Sequence, residues 1–169
     1  MTLSYGMQFA RCLYCACHMF GVSFRNLCSP SSEVIINIIM EHLVPTIAIV
    51  DDCRIIRGIA RQVIDQLHFE VLMEAVNGRD LFEKLEGLGV LPDICLLDLE
   101  MPEMDGFETA IALRRYYPFI RVLAYSSNPS EEYISRILAC GALGFISKGS
   151  HLGEWREALA RTADGLNGR

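Results

Sequence analysis

The chain has 169 residues, about one domain's worth, and 51% of them are hydrophobic, which excludes a disordered tail and allows a closed core. Its formal net charge is −6, and residues 1–45 are neutral, so the acidic excess falls on the remainder. No run of basic residues offers the electrostatic footprint of a DNA or RNA surface, and the expectation is a chain that makes no direct contact with nucleic acid.

The N-terminal stretch comes first and says least. Four of the seven cysteines, Cys12, Cys15, Cys17 and Cys28, crowd into it. With His18, the CxxC of "CLYCACH" has zinc-ligand chemistry but lacks the second arm that such a site needs. An odd cysteine count without a secretory signal does not read as a disulfide framework. Residues 3–24 are apolar, but Gln8, Arg11 and His18 break the run, which is too interrupted for a membrane span and too poor for a signal peptide. A cytoplasmic chain with no membrane segment is expected. Residues 1–44 read as a poorly ordered extension, with Met40 a natural start just ahead of the compact part. Cys53, Cys95 and Cys140 stand singly in apolar or helical surroundings, as buried, reduced small hydrophobes would.

From residue 46 onward, short apolar runs alternate with helical patterns. "TIAIV" at 46–50 is a β-branched run of strand length. Ile55, Ile56, Ile59, Ala60, Val63 and Ile64 then recur at helical spacing. Residues 69–75 form a second strand candidate, Asn77-Gly78 a turn, and Leu81, Phe82 and Leu85 a short helix. Pro92 precedes a third strand at 94–97. Residues 107–115 are helical, with Ala110, Ile111 and Leu113 on the apolar side. A fourth strand spans 121–125, and residues 127–130 supply cap-forming groups. Tyr133, Ile134, Ile137 and Leu138 line the next helix, "GFI" at 144–146 is a brief strand, and residues 151–163 form a last helix bearing Leu152, Trp155, Leu159 and Ala163. Five strand–helix pairs predict an α/β sandwich, a parallel sheet with helices on both faces. The absence of GxGxxG and of GxxxxGK[ST] disfavours nucleotide-binding versions of that architecture.

In open parallel sheets, function collects beyond the carboxyl ends of the strands. Those ends carry Asp51 and Asp52, then Asp98, Ser126 and Lys148. Helix capping accounts for Ser126 or Asp52 taken alone. It does not account for three carboxylates brought together, which repel one another unless a cation joins them. An oxygen-only donor set of this density suits Mg²⁺. A carboxylate can also act as a nucleophile toward a phosphoryl group, with the metal ion and the lysine neutralising charge and the hydroxyl donating a hydrogen bond. The acid on the central strand, Asp98 in "LLDLEMPEMDG", is the expected nucleophile.

These pieces, in this order, resemble the receiver domain of two-component response regulators, the CheY-like family, over residues 45–150. Residues 151–169 then hold the last receiver helix and the start of a linker. The resemblance implies a flavodoxin-like (βα)5 sandwich with a central five-stranded parallel sheet in order 2-1-3-4-5. It implies transfer of a phosphoryl group from a sensor histidine kinase or phosphotransfer protein to Asp98. Mg²⁺ would be held by the Asp52 and Asp98 side chains and the Glu100 carbonyl, with Asp51 acting through water. Lys148 would pair with the phosphoryl group, Ser126 would donate its hydroxyl to it, and Phe145 would swing inward as the fourth helix and fifth strand rearranged. Pro102 and Gly106 match the residues that shape the acidic loop.

Two residues depart from the family pattern. Gly149 follows Lys148 where a cis proline is usual, so a trans bond is expected. Glu100 places a charge near the acceptor. The end of the chain resembles members that continue into a helix-turn-helix output domain, so the chain reads either as a stand-alone receiver docking to an effector protein, with a homodimer open, or as half of a longer regulator. Beyond autocatalytic phosphoryl uptake and slow self-dephosphorylation, no enzyme activity is expected. The alternatives are a constitutive interaction module that is not phosphorylated and an aspartyl phosphohydrolase using Glu100 as its acid/base, the latter disfavoured by the acidic pair and the lack of a cap insertion.

Overall fold

The computed structural model describes residues 44–127 and 130–164. The cysteine-rich leader with His18, and Met40, lie outside the described residues. In chain order the elements are β1 (Thr46–Val50), α1 (Arg54–Gln66), β2 (Glu70–Ala75), α2 (Gly78–Glu86), β3 (Ile94–Asp98), α3 (Gly106–Tyr116), β4 (Arg121–Ser126), α4 (Glu131–Cys140), β5 (Gly144–Ser147) and α5 (Leu152–Ala163). The strands form one parallel sheet in the order β2-β1-β3-β4-β5, so the expected fold class is the one observed. Among the described residues no helix is long and apolar enough to cross a membrane.

Period-two alternation divides each central strand between two cores. Ile47, Ile49, Ile94, Leu96, Leu123, Tyr125 and Ile146 pack with Ala60 and Ile64 of α1 and with Trp155 and Leu159 of α5. Ala48, Val50, Cys95, Leu97, Val122 and Ala124 pack with Leu81, Phe107, Leu113 and Ile137 of α2, α3 and α4. With both faces covered, β3 is buried from end to end.

Several helical readings shift in detail. Ile55 and Ile59 are 73% and 51% exposed; the buried stripe of α1 runs instead through Ile56, Ala60, Val63 and Ile64. Apolar spacing alone cannot choose between two stripes one residue apart. Ile111 and Leu138 are likewise exposed, Phe107 and Ile137 taking the inward positions. Cys95 is buried and Cys140 half-buried, but Cys53 is exposed, because it stands at the N-cap of α1, outside the sheet. Asp105, at first sight a solvated loop acid, caps α3 in a reciprocal box with Glu108. α4 ends on Gly141 at φ 117°, a left-handed conformation that favours glycine.

The loop after β3 closes on itself tightly. The Gly106 N–H donates to the Leu99 carbonyl at 3.1 Å, and a Cβ at Gly106 would lie 2.2 Å from the Asp98 carbonyl oxygen and 2.7 Å from the Leu99 Cα. Backbone atoms cannot yield as a flexible side chain can. Gly106→Ala is therefore expected to destabilise the protein by about 1–3 kcal/mol. Gly58→Ala, in α1 with nothing within 4 Å of the added methyl, should be neutral or stabilising by up to about 1 kcal/mol. Thermal melts of the two variants beside the wild type check both.

Candidate functional site

The β1 and β3 ends lie side by side because those strands pair in register, Val50 opposite Leu97. Asp51 follows β1 and is fully buried; Asp98 is the last residue of β3 and is 2% exposed. Asp98 Oδ1 accepts the Leu99 N–H at 2.7 Å, and Oδ2 lies 2.8 Å from Lys148 Nζ. The same ammonium is 2.8 Å from Asp51 Oδ2. Asp51 Oδ1 accepts the Cys53 N–H at 2.7 Å, and Oδ2 accepts the Tyr125 hydroxyl at 2.6 Å. Asp52 is exposed beside them, and one carboxylate oxygen from each of Asp51, Asp52 and Asp98 lies within 4.8 Å of the others.

Lys148 needs no proline to reach this position. Its N–H donates to the Ser126 carbonyl at 3.0 Å, extending the β4–β5 ladder by one residue. The turn beyond is closed by Gly149 N–H to Ser147 Oγ and Ser150 N–H to the Ser147 carbonyl. No cis peptide bond occurs among the described residues, so Lys148-Gly149 is trans as expected.

Ser126 ends β4 and is buried. Alternation sends its side chain to the face opposite Tyr125. It does not cap α4; Ser130 does, accepting from the Tyr133 N–H. Nor does Asp52 cap α1, whose N-cap is Cys53 with no side-chain cap bond. Phe145 is half-buried against the α2–α4 core and pairs with Ala124. Glu100 is exposed and its N–H lies 3.4 Å from Asp98 Oδ1. Its carboxylate stands outside the acidic cluster.

Three carboxylates gather near one ammonium, a formal excess of two negative charges beyond the carboxyl ends of the strands. Burial lifts Asp98 above the ordinary carboxylate range, against the pull of Lys148, and the Asp51 charge adds to the rise. Burial works against the charge on Lys148, but its hydrogen bonds to Asp51 and Asp98 prevail and hold its pKa above the usual value. Burial and the bond to Asp51 push the Tyr125 phenol far up, so it is a proton donor at any ordinary pH.

Two residues of the site escaped the sequence. Tyr125 reads as one more apolar strand residue, although its place next to Ser126 at a strand end could have marked it. Arg57 looks like a surface position of α1, yet its guanidinium donates to the Asp51 carbonyl at 2.7 Å and lies 3.3 Å from the Asp52 carbonyl. Glu74 of β2 braces it through a 3.3 Å contact with Nε and also takes Arg61 at 2.6 Å. An inward-facing arginine on the first turns of a helix that follows two acids was the available signal.

The family profile of the response regulator receiver domain matches residues 47–160. The transcriptional regulatory protein DegU of Brevibacillus brevis is 32% identical over 120 residues, which cover 70% of this chain and 50% of that protein. The chemotaxis protein CheY of Listeria monocytogenes is 33% identical over 115 residues, covering 68% of this chain and 95% of that protein. A solved complex of CheX and CheY with BeF3 and Mg²⁺ from Borrelia burgdorferi aligns with a TM-score of 0.63 at 25% identity, covering 72% of this chain and 88% of that one. The chain thus spans about half the length of DegU and of other curated relatives.

Because folding raises the Asp98 pKa, the folded state binds that proton more tightly than the unfolded chain does. Stability then falls as pH rises from the ordinary carboxylate range through the raised value. Asp98→Asn removes the buried charge and leaves Lys148 paired with Asp51. In metal-free buffer it should be more stable than the wild type at pH 7 by about 1 kcal/mol, on the order of 3 °C in Tm. The gap should close toward acid pH, as paired thermal melts from pH 4 to pH 8 would record.

Proposed function

The chain belongs to the response-regulator receiver family, and we propose that it is a phosphoacceptor switch, taking a phosphoryl group from the phosphohistidine of a sensor kinase or phosphotransfer protein onto Asp98 in the cytoplasm. One observation carries the reading: the buried Asp98 carboxylate ends the central strand with Lys148 Nζ at 2.8 Å and the Asp51 and Asp52 carboxylates beside it.

The donor set tests well for a cation. It is oxygen-only, it gathers three carboxylates, and its uncompensated charge after Lys148 is that of a divalent ion. Asp52 and Asp98 would hold Mg²⁺ directly, with the Glu100 carbonyl beside them and Asp51 acting through water. Bound there, the ion supplies neutralisation of charge on the phosphoryl oxygens.

The rest is the work of this chain's side chains. An Asp98 carboxylate oxygen attacks phosphorus; the new P–O bond forms as the P–N bond to the donor imidazole breaks, and the donor nitrogen leaves with the electron pair. Lys148, already against Asp98, turns its ammonium to the incoming oxygens. Ser126, at the end of the neighbouring strand, donates its hydroxyl to the acyl phosphate. Phe145 turns inward beside it, and the face made by α4 and β5 rearranges. New charge at Asp98 thus biases a two-state equilibrium. That face would carry the signal to an effector protein, to a second copy, or to a helix-turn-helix output domain in a longer regulator.

Lys148 reaches both carboxylates with glycine after it, which favours phosphorylation over a constitutive interaction module. Incubation with acetyl phosphate and Mg²⁺ should add one phosphoryl mass to the intact protein. Asp98→Ala should abolish that adduct and Ser126→Ala should keep it. A wild-type protein left unmodified by several small phosphodonors would sink the assignment.

A further inference from the structure

We infer that Tyr125 is a positioning residue of this acceptor site: its hydroxyl holds the Asp51 carboxylate in the orientation that lets the acidic cluster take a divalent cation, and its ring ties that orientation to Trp155 on α5. The inference rests on the phosphoacceptor reading above.

Asp51 is fully buried, and a buried carboxylate is stable only with its oxygens hydrogen-bonded. Oδ1 is held by the Cys53 N–H in the same loop. Oδ2 has two partners from elsewhere in the fold, the Lys148 ammonium and the Tyr125 hydroxyl. Lys148 is shared with Asp98 and is the partner that turns away when phosphoryl oxygens arrive. Tyr125 is then the fixed partner of Oδ2. One oxygen from each of the three carboxylates lies within 4.8 Å of the others in the structure in which the Tyr125 bond to Asp51 is made.

The ring is packed on its neighbours while that bond is made. Tyr125 is 1% exposed, its centroid lies 4.9 Å beneath Lys148 Nζ, and Trp155 packs edge-on at 6.0 Å and 65°. Tyr125 and Trp155 share the core between the sheet and the helices α1 and α5. A change in the hold on Asp51 is therefore felt by Trp155, the chain's single tryptophan.

Tyr125→Phe removes the hydroxyl and keeps the ring, its Trp155 contact and its place under Lys148. Partners of this kind typically set metal affinity by 10–100-fold, so calorimetric titration of the full chain with Mg²⁺ should show about tenfold weaker binding in Y125F. Acetyl phosphate uptake should need correspondingly more Mg²⁺ and reach the wild-type rate at saturation. Trp155 emission should respond to Mg²⁺ in the wild type and respond less in Y125F at saturation. In a double-mutant cycle, Y125F should cost D51N nothing further in Mg²⁺ affinity, whereas general loosening of the fold would add to it. Mg²⁺ affinity of Y125F within twofold of a wild type that accepts phosphate overturns the positioning role and leaves the phosphoacceptor reading standing. Additivity in the cycle, or an unresponsive Trp155, also overturns it. A wild type that binds no Mg²⁺ overturns both.

Discussion

One ammonium group placed between two buried carboxylates is the constraint around which the rest of this fold is arranged. Asp51 follows β1 and Asp98 ends the neighbouring strand, and two buried carboxylates brought side by side repel each other unless a positive charge joins them. Lys148 supplies it at 2.8 Å to each, although β4 lies between its own strand and β3. It reaches across the face of the Tyr125 ring, so the aromatic serves as the floor of an ion-pair site and donates to one of the paired acids as well.

A second tier fixes the backbone that carries these acids. Arg57 grips the carbonyls of Asp51 and Asp52, and Glu74, on the strand beyond β1, holds Arg57. Arg61 and Arg57 keep the Glu74 carboxyl below its ordinary pKa, the Arg61 hydrogen bond contributing most. On the other side of the site Gly106 presses against the end of β3, so Asp98 has little freedom along the chain. The cluster is held by packing and hydrogen bonds that no acid in it could provide alone.

The two sides of the sheet are built differently. Beneath α1 and α5, Tyr125, Trp155, Ile64 and Leu159 interlock. On the other side, α4 rests on the sheet through a single fully buried side chain, Ile137, with Tyr133 meeting Phe107 edge-on and Arg136 over the same ring. A helix with so little buried apolar surface costs least to move. Phe145 packs on that lightly anchored side and strand alternation turns Ser126 the same way, while Tyr125 lies on the interlocked side, so consecutive residues of β4 face differently packed sides of one site.

Much of this was legible in the residues themselves. Strand and helix periods are local properties, and they located all five strands to within a residue and the helix that follows each. Because parallel strands present their carboxyl ends together, the same reading gathered Asp51, Asp52, Asp98, Ser126 and Lys148 at one rim. Local pattern could not choose which of two neighbouring stripes α1 would bury, and Ile55 and Ile59 proved to be the exposed one. The Asp105–Glu108 spacing of a capping box stood in the sequence, but nothing local showed that Cys53 would face solvent. Above all, local pattern could not reveal the bond of Tyr125 to Asp51, 74 residues away in the chain. A phenol in an apolar run looks ordinary until the sheet brings a buried carboxylate against it. The sequence alone determined which chemistry collects at the strand ends; the tertiary structure decided how those charges are held, because hydrogen-bond partners across a sheet are set by strand order and packing, which no local window contains.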